Sequence, residues 1–203
     1  QAGSYSENKY PDNMGGKTNL VIVESPSKTK KIQGYLGSKY QVLASYGHIC
    51  DLAPKRLSID VDNNFEPEYF PSPSKSDVIA KLKRAAKSVE TVWLASDYDR
   101  EGESIAVHLK RTLKLSPEKT RRIIFTEITK NALKKAVDNP TEIDMNMFYA
   151  QQARRVLDRL IGFLISPVLW KHFSTTWEKK TSLSAGRVQS VVVRLVLERE
   201  NEI

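Results

Sequence analysis

The stretch VWLASDYDREGE at residues 92–103 decides how this chain is organised. Four apolar residues lead into a turn rich in carboxylates, and an amphipathic run at 105–113 follows. This order predicts a buried strand, an acidic turn and a helix. Carboxylates at alternate positions of an extended segment lie on the same side of it. We therefore expect Asp97, Asp99 and Glu101 to converge just past the carboxyl end of the strand.

On these residues alone, two interpretations of the acidic turn stay open. Clustered carboxylates repel one another and cost stability unless a cation compensates them. Hard oxygen donors in a compact site favour Mg²⁺ over a transition metal. The alternative is a solvated bend whose negative charges are favourable at a helix N-terminus.

A second strand end carries a related pattern. The apolar run at 20–23 predicts a central parallel strand, and Glu24 follows it directly. Ser25 and Pro26 are typical of an N-cap and first helical position, which places Lys28 in the first turn of a helix. If the two strands are parallel neighbours, Glu24 meets the acidic turn at one sheet edge, and Lys28 could hold a phosphate there. The alternative for Lys28 is a solvated helix lysine.

The remainder of residues 19–140 alternates predicted strands and helices. Further strands are indicated at 40–45 and 122–126, with helices between them and a last one after Thr129. Residues 47–75 contain four prolines and are interpreted as a surface connection with little regular structure. This alternation predicts an α/β fold, with a mostly parallel sheet covered by helices on both faces.

Beyond residue 141 the pattern becomes helical. A long helix is predicted at 145–165, ended by Pro167, and a last helix is expected to begin with Ser184 as its N-cap. A polar segment at 174–181 separates them. We therefore predict a flexible tail at 1–18, an α/β domain at 19–141 and an incomplete all-helical segment at 142–203.

Composition limits the possible functions. The 203 residues include 32 Lys and Arg against 24 Asp and Glu, a net charge of +8 that favours a polyanionic partner such as nucleic acid. The single cysteine, Cys50, excludes an internal disulfide and cannot form a zinc site alone, which fits an intracellular, reducing compartment. No apolar run approaches a membrane span, and no signal peptide is visible.

Several motifs together resemble one family. They are VESPSK at 23–28, GHICDL at 47–52, DYDREGE at 97–103, FTEIT at 125–129, AQQARR at 150–155 followed by Asp158 and Arg159, and LSAGRVQS at 183–190. In this order they resemble the type IA DNA topoisomerases, especially the bacterial topoisomerase I branch. The α/β part resembles their Toprim domain, a Rossmann-like fold. A glutamate with Asp-x-Asp alone would be generic, because primases and some nucleases share it.

The resemblance implies a function and roles for the acidic residues. Type IA enzymes cut one DNA strand, pass a strand through the gap and reseal it, which relaxes negatively supercoiled DNA. Asp97, Asp99 and Glu101 then correspond to the Mg²⁺ ligands. Glu24 corresponds to an acid–base residue that also touches the metal, and Lys28 to the residue that neutralises the scissile phosphate.

The resemblance also implies DNA contacts, and side-chain chemistry suggests two more. The implied contacts are His48, Arg154, Arg155, Asp158, Ser184, Ala185, Gly186, Arg187, Val188 and Gln189. Phe163 and Trp170 could stack on bases of single-stranded DNA, although aromatic residues at helical spacing usually belong to the core. Asp158 could orient Arg154, or the pair could be a surface salt bridge of little energetic value.

One departure from the family pattern concerns the nucleophile. The family uses a tyrosine in a Tyr-Pro-Arg-Thr type segment, and none of the eight tyrosines here lies in one. We therefore expect an N-terminal fragment, monomeric and inactive alone, whose partners are DNA with a single-stranded region and the other domains of its parent. The alternatives are another Toprim enzyme of nuclease or primase type, and a non-catalytic nucleic-acid-binding module.

Overall fold

The computed structural model of the chain describes residues 18–173 and 183–203. The predicted flexible tail, except for Thr18, and the polar segment at 174–181 lie outside the described residues. The strands within these residues, β1 to β8, span Asn19–Val23, Tyr40–Ala44, Cys50–Leu52, Ile59–Asp60, Glu66–Pro67, Tyr69–Pro71, Thr91–Ala95 and Thr120–Arg122. The α-helices described, α1 to α6, span Pro26–Leu36, Ser76–Lys87, Arg100–Thr112, Lys130–Asp138, Met145–Phe173 and Arg187–Asn201.

A four-stranded parallel sheet forms the centre of the α/β part, with strands in the order β2-β1-β7-β8. Strands β1 and β7 are direct neighbours, and Val23 is aligned with Ala95. Their carboxyl ends therefore lie at the same edge. This confirms the predicted α/β class and brings the residues after both strands together.

Helices cover both faces of the sheet. Alternate side chains of β1 point to opposite sides: Leu20 and Ile22 pack in a core with residues of α2 and α3, whereas Val21 and Val23 pack with residues of α1 and α4. All four of these side chains are at most 1% exposed. A strand buried on both faces needs a continuous apolar run, which is the pattern that the sequence shows.

Three helix starts follow the expected capping chemistry. The side chain of Ser25 accepts from the backbone N–H of Ser27 ahead of α1, with Pro26 in the first turn. Asp99 caps α3, and Thr129 caps α4 by accepting from Ala132. These side chains satisfy backbone donors that a helix start leaves unpaired.

Two strand predictions need correction. Residues 47–75 are not an irregular connection: strands β3 to β6 form two small antiparallel sheets there, followed by a 3-10 turn at Pro73–Lys75. The strand predicted at 122–126 instead spans Thr120–Arg122. Ile123 is fully buried and donates one hydrogen bond to Leu94, but the ladder ends there. Its apolar run signals burial and not strand pairing.

Two helix predictions were also wrong. Helix α5 is continuous from Met145 to Phe173 and includes Pro167. A proline inside a helix removes one hydrogen bond and crowds the preceding turn, but the turns on either side keep their own bonds. Helix α6 begins at Arg187 with Gly186 as N-cap. Ser184 does not cap it, and the neighbouring Ala185 N–H is bonded by Ser166 of α5.

Candidate metal and DNA site

The acidic turn meets the start of α1 at the shared edge of β1 and β7. Lys28 Nζ donates to Asp97 Oδ1 across 2.7 Å. Both residues follow strands whose last residues are aligned, so the parallel pairing creates this contact between positions 69 apart in sequence. Lys28 is therefore directed at the carboxylate cluster, which disfavours the interpretation as a freely solvated helix lysine.

Glu24 lies within electrostatic range of the same turn. Burial raises the pKa of its carboxyl group, and the charges of Asp97 and Asp99 raise it further, while Lys28 and His48 oppose the shift. A raised pKa makes this carboxyl group better suited to proton transfer than an ordinary glutamate. The repulsion also means that a cation placed between these carboxylates would be stabilised.

Asp99 and Glu101 do not lie on one extended segment, because α3 begins between them. Asp99 Oδ1 accepts from the Gly102 N–H at 2.7 Å, so Asp99 is the N-cap of α3. Glu101 lies in the first turn of that helix. Its Oε2 contacts His48 Nε2 at 2.7 Å, and its Oε1 accepts from Gln151 Nε2 of α5 at 2.5 Å.

The expected convergence of Asp97, Asp99 and Glu101 on one point is not found. Among residues 18–173 and 183–203, no three His, Cys, Asp or Glu side chains form a group able to hold a metal ion. The reason is local: α3 begins at Arg100, so Glu101 follows helical and not extended periodicity. Glu24, Asp97 and Asp99 nevertheless fit Mg²⁺ chemically, because all three are hard oxygen donors whose mutual repulsion a divalent cation would relieve.

The candidate DNA residues of α5 are joined to other elements. Asp158 accepts from Arg187 Nε at 2.5 Å and Nη2 at 3.1 Å, and Arg154 Nε lies 4.0 Å from its Oδ2. Hydrogen bonds from Arg187, followed by the nearby arginine charges, lower the pKa of Asp158 despite some desolvation. Asp158 is therefore a shared carboxylate between two predicted DNA-contacting arginines.

Further along α5, basic and aromatic side chains make contacts with other residues of the protein. Arg155 bonds the Asp51 carboxylate, and Arg159 donates to the carbonyl oxygens of Ala53 and Leu57. The Arg159 guanidinium also lies 4.5 Å from the ring centroid of Phe163.

The segment before α6 lies against the end of α5. Trp170 is 49% exposed, and its indole N–H donates to the Leu183 carbonyl at 2.5 Å. Of the predicted contacts there, Ser184, Val188 and Gln189 are exposed, while Ala185, Gly186 and Arg187 are half-buried.

Comparison with known proteins adds independent information. The family described as Toprim domain matches residues 19–128, and the family described as DNA topoisomerase matches residues 142–203. The chain belongs to the type IA DNA topoisomerase family. A solved structure of full-length topoisomerase I from Thermotoga maritima is 47% identical, with a TM-score of 0.79 over 91% of this chain. The match covers 30% of that protein, so this chain spans less than a third of its relative's length.

Toprim domains generally bind Mg²⁺, which agrees in kind with the donor chemistry at Glu24, Asp97 and Asp99.

In the part of the chain that the structure describes, no helix is long and apolar enough to cross a membrane.

Four residues that support the acidic turn were given no such role from the sequence. A Cβ at Gly102 would lie 1.9 Å from the Asp97 carbonyl oxygen, and Ser96 Oγ donates to the Gly102 carbonyl at 2.6 Å. Arg122, 1% exposed, donates to Glu103 and to the carbonyl oxygens of Ser96 and Asp97. The glycine between two glutamates was a visible signal, whereas the buried Arg122–Glu103 pair had none.

Proposed function

We propose that the chain is the Mg²⁺-binding and DNA-gripping part of a type IA DNA topoisomerase, which supports single-strand cleavage, strand passage and religation that relaxes negatively supercoiled DNA. One observation carries this most directly. Lys28 and Asp97 meet at 2.7 Å where two neighbouring parallel strands end, and Glu24 is electrostatically coupled to the same carboxylate. A cation for the phosphate, an acid and metal-type donors are thus assembled at one sheet edge.

The side chains then divide the work of phosphoryl transfer. Asp97 and Asp99, with Glu24 and Glu101 beside them, would hold Mg²⁺. When bound, Mg²⁺ supplies positive charge that stabilises the charge developing on the phosphoryl oxygens. Lys28 neutralises the scissile phosphate at the N-terminal end of α1, where the helix dipole is positive. Glu24, whose pKa is raised mainly by burial, donates a proton to the leaving 3′ oxygen.

A single-stranded region of DNA is the proposed partner of the helical segment. His48, Arg154, Arg155 and the 184–189 segment supply phosphate contacts, with Asp158 orienting Arg154 and Arg187. Phe163 and Trp170 offer surfaces for base stacking. The other domains of the parent enzyme are further proposed partners, and we propose a monomer in an intracellular, reducing compartment.

A magnesium titration tests the metal part. The Asp97→Asn, Asp99→Asn double variant removes two charged donors, while asparagine remains able to cap α3. We expect the wild type to bind Mg²⁺ and the double variant to bind it at least about tenfold more weakly. Calorimetric titration measures both affinities, and circular dichroism checks that α3 is retained.

A salt titration tests the DNA part. Contacts to phosphates release counterions, so the binding constant for a single-stranded oligonucleotide should fall steeply as salt rises, with a slope of about −0.7 per phosphate contacted. Fluorescence anisotropy at several salt concentrations gives the slope. A flat response would count against DNA binding through Arg154, Arg155 and Arg187.

A DNA-binding module without metal chemistry is the second candidate. Lys28 already bonds Asp97, and His48 and Gln151 already bond Glu101. These carboxylates therefore have partners without a metal ion, which favours this candidate. Equal Mg²⁺ affinities of the wild type and the double variant, with a steep salt slope, would support this candidate. The match of residues 142–203 to a topoisomerase family disfavours a nuclease or primase.

A further inference from the structure

Glu101 is held between two parts of the chain that are distant in sequence. One carboxylate oxygen contacts His48, which follows β2, and the other accepts from Gln151 of α5, 50 positions away. Gln151 is only 9% exposed, so its amide is shielded from water that would compete for the hydrogen bond. Glu101 is thus one of the points where the helical segment touches the acidic turn.

The chemistry of this contact matters for a cation site. The Gln151 amide is neutral, so it fixes the direction of the Glu101 carboxylate without cancelling its charge. A hydrogen bond to a carboxylate is stronger than one between neutral groups. Asp97 differs, since its partner is the ammonium group of Lys28. A glutamine is therefore suited to orienting a carboxylate that must stay negative.

The same face of α5 is fixed a second time, one turn further along. Arg155 lies four residues after Gln151, so the two side chains share a helix face, and Arg155 bonds Asp51. A cavity of about 240 Å³ lies between these contacts, lined by residues that include His48, His108, Gln151 and Arg155. Helix α5 is thereby held to both sides of the cavity at the acidic turn.

We propose that Gln151 is a positioning residue for Glu101, and through it for His48, and that it ties the DNA-gripping helix to the metal-binding turn. This proposal rests on the proposed function, because the direction of the Glu101 carboxylate matters only if the acidic turn binds Mg²⁺ or DNA. A purely structural glutamine would affect the stability of the α3–α5 contact and leave ligand affinities unchanged.

The test is a double-mutant cycle with a matched control. Gln151→Met removes the donor at nearly constant size, and Gln152→Met makes the same change at the next position. We expect Gln151→Met to weaken Mg²⁺ binding about tenfold and Gln152→Met to leave it unchanged within about twofold. In a Glu101→Ala background, Gln151→Met should have no further effect, because the group through which it acts is gone.

An unchanged affinity in Gln151→Met, or the same loss in both backgrounds, would overturn the proposal. A wild type without any Mg²⁺ site would instead refute the metal part of the proposed function. In that case the same double-mutant cycle is measured with the affinity for single-stranded DNA, in EDTA. In EDTA, Gln151→Met should weaken the binding of single-stranded DNA several-fold when Glu101 is present, because His48 loses its fixed position. In the Glu101→Ala background the same change should not weaken DNA binding. Equal losses in the two backgrounds would contradict the proposal. Thermal unfolding of each variant confirms folding.

Discussion

Gly102 lies in the first turn of α3 directly against the backbone of the acidic turn. Because an added Cβ would meet the Asp97 carbonyl oxygen at 1.9 Å, the backbone must move to accept any other residue. We predict that Gly102→Ala lowers the free energy of unfolding by about 1–3 kcal/mol and displaces the Asp97 carbonyl.

Gly162→Ala is the control for this prediction. It lies within α5, and among the described residues no atom outside the local helix backbone and the two chain neighbours lies within 4 Å of the added Cβ. Alanine is the better helix former, so the change should stabilise by up to about 1 kcal/mol. Chemical denaturation of both variants measures the difference. Equal stability of Gly102→Ala and the wild type would show that the turn tolerates a shift of its backbone.

His108 is a buried histidine near the same cavity. It is 3% exposed, and neither ring nitrogen has a hydrogen-bond partner among residues 18–173 and 183–203. Burial, with smaller effects from His48 and Arg111, lowers its pKa from 6.5 to about 4. The unfolded chain therefore binds a proton at higher pH than the folded one, so the free energy of unfolding should fall as pH drops from 6.5 towards 4, by on the order of 3 kcal/mol.

Replacement of this histidine tests its contribution. His108→Leu should remove that part of the pH dependence, whereas His172→Leu, at an exposed position near the end of α5, should keep it. Urea denaturation at pH values from 4 to 7 gives the slopes, with allowance for the carboxyl groups that titrate near pH 4. Identical slopes in wild type and His108→Leu would show that His108 does not cause the effect.

At the level of elements, one ion pair joins β8, α3 and the start of α5. Arg122 and Glu103 are 1% and 0% exposed, and their closest N–O distance is 2.6 Å. Glu103 Oε2 also accepts from the Asp144 N–H just before α5. Removal of one partner leaves a buried charge unpaired, so Arg122→Met should cost about 3–5 kcal/mol.

An exposed pair provides the comparison. Arg194 and Glu198 form an i,i+4 contact at 2.7 Å on α6, with side chains 80% and 53% exposed. Arg194→Met should change stability by less than about 1 kcal/mol, because water screens such pairs. Thermal or chemical unfolding compares the two variants. Similar losses for both would mean that the buried pair adds no special stability.

The elements that the sequence predicted best are those with local signals. The apolar run before Glu24 and the Ser25-Pro26 pair predicted β1 and the start of α1, because burial on both faces and capping depend on neighbouring residues. Arg122 was taken as the start of an apolar strand and proved to be its buried end. Its burial depends on Glu103, which is distant in sequence, and no local pattern reveals such a partner.

The candidate site was also predicted only in part from the sequence. Lys28 was expected at the edge where Asp97 lies, and the structure places them in contact. The direction of Glu101 could not be predicted, because it depends on where α3 begins and on Gln151 of a later helix. A last helix was also predicted, yet none of the residues of α6 is buried in the part of the chain described. Periodicity can predict a helix but does not show what packs against it.

For the whole molecule, the expected nucleophile leads to a prediction. The resemblance assigns strand cleavage to a tyrosine in a Tyr-Pro-Arg-Thr type segment, and these 203 residues contain none. The chain alone should therefore bind single-stranded DNA without forming a covalent adduct. Denaturing electrophoresis with a labelled oligonucleotide and Mg²⁺ makes the measurement, and a labelled band at the protein's mass that survives denaturation would contradict the prediction.

The central claim is that Asp97 and Asp99, beside Glu24, form a Mg²⁺ site at the sheet edge. Paramagnetic Mn²⁺, which uses the same oxygen donors, can replace Mg²⁺ in NMR spectra of the chain. We predict that substoichiometric Mn²⁺ selectively broadens the backbone amide signals near Glu24 and the 97–101 turn. The broadening should disappear in the Asp97→Asn, Asp99→Asn variant. Broadening spread over other acidic surfaces, or unchanged in that variant, would contradict the account.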